Sequence, residues 1–137
     1  NQIHRQIAMP LHDLHLAKKL VKQGKYELVT QKARNDSKNL GWGSKHHTAI
    51  FNLLDVDRHY SKSPADQKSD WGYVNCDQYS IKIVELERDD DYEPTSPDEP
   101  PIREARRYEA GIECFVKFSK INHPFHARWN ANQSFMD

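Results

Sequence analysis

With 137 residues, the chain suits a single domain with one modest core. Only 36% of residues are hydrophobic and mean hydropathy is −0.95, so no membrane-spanning run of about 20 apolar residues is present. The net charge of zero excludes a uniformly basic or acidic tail protein but conceals an asymmetry. Residues 1–84 hold 13 Lys/Arg against 8 Asp/Glu, and residues 85–109 hold 4 against 10. A basic body suits a polyanion, because phosphate contacts supply sequence-independent affinity, and equally suits a plain solvated surface. The chain opens on Asn1 without a charged-then-apolar leader, and upstream residues are expected. Cys76 and Cys114 are too few for a disulfide scaffold and read as reduced thiols of a cytoplasmic protein, with a bridge between paired strands left open.

Leu11, Leu14, Ala17, Leu20 and Val21 recur at three- and four-residue spacing and predict a first helix from Asp13 to about Gly24. Tyr26 to Val29 reads as a short extended piece. Thr30 is the expected N-cap of a second helix reaching Leu40 and stopped by Gly41. Ser44 is the expected cap of a third, with Ile50, Leu53 and Leu54 facing inward.

After Pro64 the period changes. Tyr73-Val74, then Tyr79 to Leu86, then Gly111 to Phe118 alternate as half-buried strands do. Between them, residues 88–109 contain three consecutive acids and four prolines within eight residues, predicting an enlarged acidic hairpin loop outside the core. Its role is open between a solvated loop and an RNA mimic or partner-docking segment. Residues 122–137 show no periodicity and read as a C-terminal extension. The layout is α+β, with N-terminal helices on one face of a small antiparallel sheet of three or four strands.

The order helix, extended turn, helix, helix, followed by Tyr60-Ser61-Lys62-Ser63, resembles the MqsR-family toxins, ribonucleases of the RelE-like superfamily. The resemblance covers about residues 11–121. It implies a RelE-like fold and an mRNA endoribonuclease that works without cofactor or metal, partnered by a cognate antitoxin, with a homodimer left open. Lys62 matches the family's catalytic lysine. Trp71-Gly72-Tyr73-Val74 matches a stretch in which the family carries a glutamine, here Gly72. Tyr79-Ser80-Ile81-Lys82 matches, with one residue more, a Tyr-x-Lys strand of the family, and Lys117 or Lys120 matches a terminal Ser-Phe-Lys.

Such cleavage needs a base for the 2′-hydroxyl, cations for the phosphorane and an acid for the leaving 5′-oxygen. The candidate catalytic residues are therefore Lys62, Tyr73, Tyr79, Lys82, Lys117 and Lys120, grouped around one phosphate. His59, Lys18 and Lys22 are candidate RNA contacts. The bland counterparts are strand packing for the two tyrosines and a solvated loop lysine for Lys62. His46-His47, His12, His15 and the His123–His126 group read as surface or capping histidines, since no ligand set completes a metal site. The alternative function is a catalytically inactive RNA- or protein-binding relative on the same scaffold.

Overall fold

The computed structural model describes residues 9–28, 30–63, 67–69, 72–74, 76–88, 90–120 and 127–135; for 67–69, 72–74, 120 and 127–135 it describes the backbone. Helix α1 (Leu14–Lys22) starts at Asp13, whose Oδ1 accepts from the His15 and Leu16 amides at 2.9 and 3.3 Å. That satisfies donors the first turn cannot. Leu14, Ala17, Leu20 and Val21 form its buried stripe. After β1 (Tyr26–Leu28), Thr30 Oγ1 accepts from the Ala33 amide at 3.0 Å and begins α2 (Gln31–Leu40). Gly41 closes it at φ 71°, and the Trp42 amide reaches back to the Ser37 carbonyl at 2.9 Å. Only a residue without Cβ takes that left-handed turn at no steric cost.

In α3 (Ser44–Leu53) the cap lies one residue earlier than the expected Ser44. Gly43 is the N-cap, and its amide donates to His46 Nδ1 at 3.2 Å. Asp55 then caps the single turn α4 (Val56–His59). No helix among the described residues is long and apolar enough to cross a membrane.

The strands that follow are β2 (Tyr60–Lys62), β3 (Gln67–Ser69), β4 (Gly72–Val74), β5 (Asp77–Glu85), β6 (Ile102–Glu104), β7 (Ile112–Lys120) and β8 (Ala127–Phe135). The main sheet runs β1-β8-β7-β5-β2, with β6 also paired to β5. Every pairing in it is antiparallel except β1 with β8. β3 and β4 form a separate hairpin. Apolar residues of α1, α2 and α3 join Tyr79, Ile81, Ile83, Ile112, Cys114, Val116 and Phe118 in one buried cluster. The fold is α+β, with the helices on one face of the sheet.

Two segments differ from the sequence expectation. The C-terminal stretch is not an extension: β8 lies inside the sheet, between β7 and β1. Ala127-Arg128-Trp129-Asn130-Ala131-Asn132 has the composition of a poor strand former, and backbone pairing on both edges overrides it. The 88–109 segment is not wholly outside the core either. Ile102 is 2% exposed and belongs to the cluster, and β6 pairs with β5 at Ile83, Val84 and Glu85. Lys45 Nζ also donates to the Pro97 carbonyl at 3.3 Å, tying the loop to α3.

Candidate active site on the open face of the sheet

Side chains alternate across a strand, so β5 and β7 each present two faces. On β5, Asp77, Tyr79, Ile81 and Ile83 are buried, whereas Gln78, Ser80, Lys82 and Val84 are half-buried. On β7, Ile112, Cys114, Val116 and Phe118 are buried, whereas Glu113, Phe115 and Lys117 are half-buried. The half-buried residues point away from the helices. Directly paired residues share a face, so the register arranges them in rows: Gln78 against Lys117, Ser80 against Phe115, and Lys82 against Glu113. Successive rows are about 7 Å apart.

Strand β2 joins this face through an irregularity. Tyr60 pairs with Tyr79, yet Lys62 pairs with Gln78, so two residues of β2 answer one step of β5. In an unbroken strand Tyr60 and Lys62 would share the core face. The bulge at Ser61 turns Lys62 outward and completes the row Lys62–Gln78–Lys117. Its two lysines stand about 10 Å apart at Cα, two strand spacings.

A buried carboxylate holds the bulge. Asp77 is fully buried, and its Oδ1 accepts from Ser63 Oγ at 2.6 Å and from the Leu11 amide at 2.8 Å. Its Oδ2 accepts from the His12 amide at 2.8 Å. Ser63 Oγ in turn shares a short hydrogen bond with Tyr60 OH. Lys62 therefore lies between Ser63, bonded to the carboxylate, and Tyr60, bonded to Ser63. Asp77 was invisible to sequence reasoning, because one acid at a strand start carries no motif. Only its burial and its three donors single it out.

The chain matches no protein-family model, no curated protein and no solved structure. The site is therefore read from its geometry and chemistry.

Of the residues expected to gather around one phosphate, the structure brings together Lys62 and Lys117. Tyr79 does not join them. It points into the core, fully buried, with its ring stacked on Phe118 at 5.7 Å and tilted against Tyr60 at 5.5 Å. Burial, then the Asp77 charge and Tyr60, pushes its phenol well above the ordinary tyrosine range, which removes it as a proton donor near neutrality. The one residue that this chain has beyond a Tyr-x-Lys spacing decides this, since Tyr79 and Lys82 are three residues apart and so lie on opposite faces. Lys82 is on the open face but about 14 Å along β5 from Gln78, opposite Glu113. Tyr73 falls in the separate β3–β4 hairpin, opposite Lys68. The side chains of Tyr73 and Lys120 lie outside the described residues.

The RNA contacts are also revised. His59 is 6% exposed; its Nδ1 accepts from the Asp55 amide at 2.9 Å and its Nε2 donates to Glu104 Oε2 at 2.7 Å. It joins α4 to β6 and offers nothing to a ligand. Lys18 and Lys22 sit on α1 in the helical layer, away from the open face. Lys18 Nζ donates to the Asn52 carbonyl at 3.4 Å, and Lys22 borders a cleft of about 430 Å³ with Lys45, Thr48 and Asp98. His46 is a capping histidine as expected, accepting from the Gly43 amide and stacking on Trp42, whereas His47 departs from the surface-or-capping reading: it is 5% exposed and bonded to Ser37 Oγ. Among the described residues no group of three or more His, Cys, Asp or Glu could hold a metal ion. Cys76 and Cys114 are buried and not joined in a disulfide. Burial raises both, Cys114 to about 12, so neither is a ready nucleophile.

Proposed function

We propose that this protein is an endoribonuclease toxin of the MqsR-like, RelE-like kind, cleaving mRNA by attack of the RNA 2′-hydroxyl and held in check by a cognate antitoxin. The observation that carries this reading is the row Lys62–Gln78–Lys117 on the face of the sheet that the helices leave open. Phosphoryl transfer within RNA needs preorganised positive charge around the phosphorane more than it needs covalent participation. Two ammonium groups flanking an amide provide that charge, and the Gln78 amide can orient either the nucleophile or a non-bridging oxygen. It offers a glutamine at the site from β5, whereas Gly72 takes the place where the resemblance expected one. The strand pairings and the Asp77 clamp hold the row in place before substrate arrives, which is what makes such donors effective.

A second reading has its own observation. With the candidate catalytic Tyr79 in the core and the candidate RNA contact His59 bonded to Glu104, neither side chain brings a proton-transfer group to the row. An inactive RNA-binding relative on the same scaffold fits that arrangement. The deciding experiment incubates purified protein with mixed RNA in EDTA and maps new 5′ ends. Discrete ends bearing a 5′-hydroxyl support the nuclease. RNA binding without cleavage supports the relative, and neither cleavage nor binding rejects both.

A further inference from the structure

Phe115 occupies the middle of the open face and is used by nothing described above. It is half-buried, and it belongs neither to the apolar cluster nor to the partly buried residues packed against that cluster. Its partner across β5 is Ser80, and its register partner on β8 is Asn132. Around it on β5 and β7 lie Gln78, Lys82, Glu113 and Lys117, so it is the one aromatic ring on this face of the two strands. A serine beside it is too small to cover a phenyl ring. The ring is thus presented about 7 Å from the row that holds Lys62 and Lys117, close to the spacing between a phosphate and the base of a neighbouring nucleotide.

We propose that Phe115 is a base-stacking residue, carrying one nucleobase of a single-stranded RNA whose phosphate lies between Lys62 and Lys117. This rests on the reading of the open face as an RNA surface and adds to it the form of RNA taken. A duplex hides its base faces, whereas a single strand can splay a base onto an aromatic ring, and sheet surfaces that pair such a ring with nearby cations bind RNA in this way. The placement of the cations points the same way. Lys62 and Lys117 both stand in the row on one side of the ring, and Lys82 stands opposite Glu113 on the other. A phosphate run follows the lysines while the base turns onto Phe115.

The test uses fluorescein-labelled 2′-O-methyl hexauridylate, which cannot be cleaved, and the same oligomer built from 5,6-dihydrouridine. The two carry equal charge, but the saturated base has no π face. Binding is followed by anisotropy at low and moderate salt. Wild-type protein should bind the uridine oligomer about tenfold more tightly than the dihydrouridine one. Phe115→Leu should lose that preference and leave the salt slope unchanged, since no phosphate contact is removed. Phe115→Trp should keep or enlarge the preference. Lys117→Ala should weaken both oligomers alike and flatten the salt slope.

A wild-type protein that binds both oligomers equally overturns the stacking role whether or not the variants fold. Retention of the preference in Phe115→Leu overturns it as well. In both cases a normal Lys117→Ala effect would leave the RNA reading of the face standing. Failure of the wild type to bind either oligomer at low salt overturns both.

Discussion

His47 should make the fold acid-labile in a defined window. Ser37 Oγ donates to the Trp42 carbonyl at 3.1 Å, so it must accept from His47 Nε2, 2.8 Å away. Nδ1 is then unprotonated and accepts from Tyr26 OH at 2.6 Å. This chain ties β1, α3 and α2 together around a neutral imidazole. Burial, with a smaller push from the neighbouring His46, lowers His47 to about 4 from 6.5. The folded state therefore resists a proton that the unfolded chain accepts below 6.5. Stability from this group is complete above that value and is lost as pH falls towards 4. Linkage puts the loss between pH 7.5 and 4.5 at about 2.5 kcal/mol, a substantial part of a small domain's stability. Urea unfolding at several pH values should show it. His47→Gln, which keeps a donor and an acceptor without ionising, should start less stable but lose about 2.5 kcal/mol less across the same range. Parallel curves for wild type and variant would refute the reasoning.

Four further outcomes are expected. If the protein cleaves RNA as proposed, Lys62→Ala and Lys117→Ala should each lower the rate at least tenfold with the circular dichroism spectrum intact, because a preorganised charge donor is worth about 2.7–4 kcal/mol in the transition state; unchanged rates would remove either residue from the mechanism. Asp77→Ala strips the acceptor from the Leu11 and His12 amides and from Ser63. It should cost about 3 kcal/mol in urea unfolding and expose the segment before α1 to limited proteolysis, whereas a cost under about 1 kcal/mol would contradict the clamp. Gly111→Ala places a Cβ 2.5 Å from the Ile83 carbonyl oxygen and 3.1 Å from Lys82 Cγ. Its melting temperature should fall by an amount equivalent to about 1–3 kcal/mol. Ile102→Ala should cost about 2–5 kcal/mol, while Asp90→Ser and Asp91→Ser in the exposed part of the same loop should stay within about 0.5 kcal/mol by the same measurement.

The helices were legible because their signals are local. Asp13, Thr30 and Gly41 act within three or four residues of where they stand, and the apolar stripe of α1 needs no tertiary information. β5 and β7 were legible for the same reason, since their alternation is written along each strand. What escaped depends on partners distant in sequence. β8 is polar and owes its conformation to two neighbours, one of them about 100 residues earlier in the chain. Ile102 is a single apolar residue beside two prolines, and only its seat in the cluster reveals β6. At the site, Lys62 and Lys117 were identifiable as cations, but their common face depends on a bulge that has no sequence mark. Tyr79 misled for the converse reason: tyrosine suits a buried strand position and a catalytic one equally, and parity with Ile81 and Ile83 decides for the core.

The position of β8 governs the order in which the protein can be made. The sheet cannot be closed from the amino-terminal side, because β1, synthesised early, has its parallel partner in Ala127–Trp129. Until those residues leave the ribosome, β7 presents an open edge along most of its length, and Tyr26–Leu28 waits unpaired in the nascent chain. Such edges invite pairing with other chains, and joining segments so far apart delays folding. Maturation thus depends on synthesis through Phe135. A product cut short before β8 would display an unpartnered edge in the middle of its sheet, a target for aggregation or degradation rather than a folded protein.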